Sequence, residues 1–123
     1  MSRLTLQITR PCFIDILEGG QKVESRYVYP RNAGRYVEEF KRPDGSWEVL
    51  PKRYDSLWLI NGHRKDAPRL EVEVLSAEFI ILTDDEGKDM TFEENGGEYL
   101  VSMVEYHLGK ILSTENCDRL LNV

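Results

Sequence analysis

Cysteine is scarce in this chain: Cys12 and Cys117 are the only two among 123 residues. Two distant thiols cannot form a disulfide framework, which excludes the small stapled secreted scaffolds and points to a reducing, cytoplasmic setting. Histidine is equally rare. His63 and His107 have no Cys or His at ligand spacing, so no metal is expected. No apolar run approaches the ~18 residues of a membrane helix. The opening Met1-Ser2-Arg3-Leu4-Thr5-Leu6 alternates apolar and polar residues, unlike a secretory signal. Gly19-Gly20 lacks the Gly-Lys-Ser/Thr continuation of a phosphate loop. Asp84, Asp85, Glu86 and Asp89 lack calcium-loop spacing and read as a solvated group. Neither a cofactor nor a membrane partner is expected, and no internal repeat is visible.

What is present suits one domain spanning 1–123, with 41% hydrophobic residues and twelve aromatics to fill a core. The formal net charge of -6 argues against a strongly basic nucleic-acid binder. Its distribution is uneven: residues 1–69 hold 13 Lys/Arg and 9 Asp/Glu, whereas residues 70–123 hold 3 and 13. The first part could build a basic surface while the second repels phosphate. Sequence halves that interleave in space would average the asymmetry out.

Hydrophobic periodicity gives a β-rich reading. Leu4, Leu6 and Ile8 alternate with polar residues as in a half-buried strand. Pro11 suits the first turn of a helix capped near Thr9 or Arg10, with Phe13, Ile16 and Leu17 on one face and Gly19-Gly20 as its stop. Residues 22–29 read as a strand. Residues 30–40 read as a short helix with Tyr36, Val37 and Phe40 on its apolar face, and Pro43-Asp44-Gly45 as a turn. Residues 47–54 suit a loop or short hairpin. Leu57–Ile60 is an apolar run ended by Asn61-Gly62. Leu70, Val72 and Val74 alternate with glutamates, and Phe79–Leu82 reads as a strand covered on both faces. Residues 93–97 read as a polar loop, and 99–112 as one or two strands interrupted near Gly109. About six strands and two or three short helices, joined mostly by turns, favour an antiparallel or mixed β-barrel of the α+β class.

Gly19-Gly20-Gln21-Lys22-Val23-Glu24-Ser25-Arg26 follows a strand, a helix and a glycine stop. This segment resembles the Gly-x-Lys-x-x-Glu-x-Arg motif of ASCH domains. Gly19, Glu24 and Arg26 hold the family's glycine, glutamate and arginine positions. Gln21 stands at its lysine position, with Lys22 one residue later. Asn61-Gly62-His63-Arg64-Lys65-Asp66-Ala67-Pro68 and Tyr106–Leu112 are similar to later stretches of one ASCH branch. The resemblance implies a PUA-like barrel with a cleft that binds RNA or another nucleic acid. In some relatives it implies hydrolysis of acylated cytidine nucleosides or cleavage of RNA.

Three functions remain open. The leading one is a module holding RNA or a nucleotide in a cleft bordered by Arg10, Lys22, Glu24, Arg26, Asn61 and Gly62. In a strand, Lys22, Glu24 and Arg26 leave one face, where the cations suit phosphate and the carboxylate suits a base or orients Arg26. The blander reading is an exposed strand face of alternating charges. The second function is a small amidohydrolase acting on N-acylated cytidine-type nucleosides, with Lys22 and Glu24 as catalytic candidates. Gln21 cannot act as a base, which counts against it. The third is a protein-interaction domain whose acidic second half meets a basic partner.

Cations at Arg31, Arg35, Lys41, Arg42, Lys52, Arg53, Arg64 and Lys65 interleave with Tyr27, Tyr29, Trp47 and Tyr54. These are the components of single-strand recognition. Tyr27, Tyr29 and Trp47 are each also suited to a core. Trp47, in a polar turn region, is the best candidate for an exposed ring. Cys12, beside Phe13 and Ile16, reads as a buried thiol.

Overall fold

The computed structural model describes residues 2–118. Nine strands and two helices occur among them. In chain order these are β1 (Arg3–Gln7), α1 (Arg10–Leu17), β2 (Val23–Val28), α2 (Ala33–Tyr36), β3 (Val37–Lys41), β4 (Trp47–Pro51), β5 (Ser56–Ile60), β6 (Arg69–Ile81), β7 (Thr91–Glu94), β8 (Gly97–Leu100) and β9 (Ser102–Glu115). The β-rich character expected from the sequence is present. One sheet has the order β1-β5-β6-β9-β2, and two hairpins, β3-β4 and β7-β8, stand as two-stranded sheets. No closed barrel is found among the described residues, contrary to expectation.

Contacts divide the chain into two compact units. The first comprises Met1–Glu24, Arg53–Ser76 and His107–Val123; the second comprises Ser25–Lys52 and Ala77–Tyr106. Strands β6 and β9 are long enough to pass from one unit into the other.

The first unit is built on alternation. β1 pairs parallel with β5, setting Leu4 beside Leu57 and Leu6 beside Leu59. β5 pairs antiparallel with β6, setting Leu57 beside Val72 and Leu59 beside Leu70. All six side chains leave one face and are buried, as strand alternation requires. Helix α1 adds Phe13 and Ile16 to this buried set. Complete burial of a side chain such as Phe13 stabilises the fold by about 1.5–3 kcal/mol. The opposite face is polar. There the Ser56 hydroxyl donates to Glu71 Oε2 at 2.6 Å, and the Arg3 guanidinium lies 4.7 Å from the Trp58 ring centre.

The second unit contains both hairpins. Residues 30–40 do not form the expected helix: only Ala33–Tyr36 is helical, and Val37 starts β3. Val37, Glu39 and Lys41 pair with Pro51, Val49 and Trp47 across the Pro43-Asp44-Gly45 turn. The turn residues therefore win over the helical spacing of Tyr36, Val37 and Phe40. Asp44 accepts from the Ser46 amide and hydroxyl, and these bonds hold its carboxyl below the usual carboxylate range.

Residues 93–97 form no loop. Asn95 (φ 50) and Gly96 (φ 82) make the tight turn of the β7-β8 hairpin. Two successive left-handed residues are what a two-residue hairpin turn demands, and Asn-Gly meets it. The stretch 79–82 is not a covered strand either: it ends β6, with Ile81 43% exposed. Gly109 does not interrupt β9. A Cβ there would overlap the Glu73 carboxylate, so glycine admits that side chain while the strand continues.

Candidate functional site

The segment after α1 takes its shape from the helix end. The amides of Gly20 and Gln21 both donate to the Asp15 carbonyl, at 2.8 and 3.0 Å, and the Gly19 amide donates to that of Ile16. Gly19 adopts φ +83, a conformation that favours glycine and turns the chain out of the helix. Gln21 is thereby delivered to the start of β2. Its Nε2 donates to the Val23 carbonyl at 2.9 Å and to Glu24 Oε2 at 3.1 Å.

Glu24 is buried, and Arg26 on the same face of β2 is half-buried. The exposed face of the strand carries Ser25 and Tyr27. The charged face is thus the inward one, which excludes an exposed strip of alternating charges. A buried carboxylate requires hydrogen-bonding partners. The Gln21 side chain supplies one through its neutral amide.

Lys22 precedes β2 and is exposed. Its carbonyl accepts from the Leu108 amide. Its ammonium nitrogen would lie 3.7 Å from a Cβ placed on Gly19, so the side chain reaches back to the C-terminal end of α1. Carbonyl ends of a helix favour a cation. Lys22 therefore does not share a strand face with Glu24 and Arg26 as the sequence reading expects, because the strand begins one residue later.

Arg10 opens α1 and is exposed. Asn61 and Gly62 lie close to it along the chain path: Asn61 Nδ2 donates to the carbonyl of Ile8 at 3.0 Å, and the Gly62 amide donates to Gln7 Oε1 at 3.3 Å. Gly62 has φ +110 and makes the turn possible. The Asn61 side chain thus fixes the end of β1 against the turn. The expected residues of the first unit therefore form two groups at opposite ends of α1. Arg10, Asn61 and Gly62 lie at its start, and Lys22 and Glu24 follow its end. Eight helical residues separate the groups by about 12 Å. Arg26 belongs to the second unit.

Several other side chains were expected near function. His63 is exposed, and Cys12 is half-buried instead of buried. Among the described residues, no three His, Cys, Asp or Glu side chains are grouped to hold a metal, and no helix is long and apolar enough to cross a membrane. Trp47 is 61% and Tyr27 49% exposed, so neither fills a core. Tyr27, Tyr29, Phe92 and Tyr99 form a line of neighbouring rings. Nothing in the local sequence marks Phe92 or Tyr99 as functional. Their signal was the Asn95-Gly96 turn, which sets them opposite one another. Comparison with protein-family models, with curated proteins and with solved structures yields no match.

Proposed function

We propose that the chain is a nucleic-acid or nucleotide-binding module of the PUA-like kind, resembling ASCH domains, and that it takes RNA or a modified nucleotide. The observation that carries this reading is the Gln21–Glu24 pair. The glycine stop, the first residues of β2 and a buried carboxylate lie in one hydrogen-bonded segment, at the residues that resemble the family's motif. Gln21 donates both amide hydrogens within the segment and so holds the Glu24 carboxylate in place; a carboxylate accepts from an exocyclic amine such as that of cytosine. Arg10 and Lys22, exposed at the two ends of α1, suit phosphate groups. Amidohydrolysis is the weaker reading, since Gln21 supplies no base and Lys22 reaches toward Gly19.

The test is binding of labelled single-stranded RNA, single-stranded DNA and free cytidine nucleotides by wild type, Glu24→Gln and Arg10→Ala, at low and moderate salt. The reading expects affinity that falls steeply with salt and is reduced in Arg10→Ala. Glu24→Gln should change the preference among bases more than the overall affinity. Absence of binding to every probe at low salt would exclude it.

A further inference from the structure

We propose that the ring line Tyr27, Tyr29, Phe92 and Tyr99 of the second unit, with Glu94, is a docking face for an arginine-bearing extended segment of another protein. Ring centres are 6.4 Å apart for Tyr27–Tyr29, 5.6 Å for Tyr29–Phe92 and 5.7 Å for Phe92–Tyr99. The two end rings are open, Tyr27 at 49% and Tyr99 at 41% exposure. The middle rings, Tyr29 and Phe92, are half-buried, so the line is open at its ends, and apolar surface left open to water suits a contact site.

Arg31 shows which chemistry the face accepts. Its guanidinium lies 4.4 Å from the Tyr29 ring centre, and it pairs with the Glu94 carboxylate. That side chain is 66% exposed, so it sits on the surface as an internal occupant of a guanidinium seat. An aromatic face beside a carboxylate is matched by arginine, whose planar fork stacks and hydrogen-bonds together; a lysine ammonium does this less well.

Charge decides between a cationic peptide and a nucleic acid here. The second unit carries 7 Lys/Arg against 13 Asp/Glu. Its segment Ala77–Tyr106 contributes one lysine and nine of those acids. Glu93 and Glu98 also stand directly opposite each other on the reverse face of the β7-β8 hairpin, adding to the negative field. Such a field repels phosphate and draws a cationic segment. This inference is independent of the nucleotide reading, which rests on the first unit.

The experiment measures binding of a short fluorescent peptide of alternating arginine and glycine to the full chain, with its lysine–glycine counterpart as control. The arginine peptide should bind several-fold more tightly than the lysine peptide. Tyr99→Ala should weaken it roughly twofold to fivefold. Arg31→Ala, which vacates the seat, should tighten it by a similar factor. No binding, equal binding of the two peptides, or indifference to both substitutions would overturn the proposal. Single-stranded RNA binding that is lost in Tyr99→Ala, without peptide binding, would also overturn it and assign the rings to nucleic acid.

Discussion

The two units of this chain differ in where they put their apolar residues. Among the described residues, twelve of the sixteen buried apolar side chains lie in the first unit, and eight of the ten exposed large ones lie in the second. Charge follows the same division. The first unit has 9 basic and 9 acidic residues, and the second has 7 and 13. Sequence halves of opposite charge are thus redistributed into a neutral, well-filled unit and an acidic one with open rings. The hydrophobic effect rewards burial, so the first unit carries the stability. Apolar surface left open contributes little to folding and is available for contact.

This division predicts its largest effect in the core. Phe13→Ala should cost about 3–5 kcal/mol in urea unfolding, because the ring is fully buried. Trp47→Ala, at the tip of the β3-β4 hairpin, should stay within about 0.5 kcal/mol. Comparable losses at the two positions would break the comparison. Native-state hydrogen exchange offers the same test by element: β5 amides should approach global protection, and β7-β8 amides should exchange through local opening.

The next effect lies at the Gln21–Glu24 segment. Glu24→Ala should cost about 1–3 kcal/mol, since it removes the acceptor of a half-buried amide. Glu24→Gln retains the shape and should cost less. An equal loss in both would mean that charge, and not the hydrogen bond, holds the segment. In the second unit Gly96→Ala should cost about 1 kcal/mol, because its φ of 82° strains any residue with a Cβ. Amides of Thr91–Leu100 should then lose protection while β5 is unchanged.

How much of this was legible in the sequence also differs between the units. In the first, Leu4, Leu6, Leu57, Leu59, Leu70 and Val72 follow strict alternation, and Pro11 and Gly19 bracket α1, so local pattern and tertiary burial agree. In the second they diverge. Tyr36, Val37 and Phe40 suit a helix locally, but pairing with 47–51 is information that lies elsewhere in the chain. β6 and β9 look like shorter pieces in the sequence because their burial pattern changes along their length, while Gly109 mimics a break. Glu24 lies on the strand that the sequence predicts for it, at a depth that alternation does not reveal. Both faces of β2 carry polar residues, so alternation alone does not say which one points inward.

The smallest expected effect distinguishes the two thiols. Burial is the main cause that pushes the Cys117 thiol above its ordinary value, and the thiol donates to the Arg69 and Glu115 carbonyls. A raised folded-state value means that the native chain keeps a proton the unfolded chain releases. Its contribution is therefore complete below the unfolded thiol's pKa and is lost as pH rises through the folded one. Urea midpoints should decline slightly above about pH 8.5, and Cys117→Ala should remove that part of the decline. Thiol labelling under native conditions sharpens the point. Half-buried Cys12 should react first, and Cys117 only on unfolding. If both reacted at the same rate at neutral pH, the first unit would be open where β9 ends, and its claim to be the better-packed half would fail there.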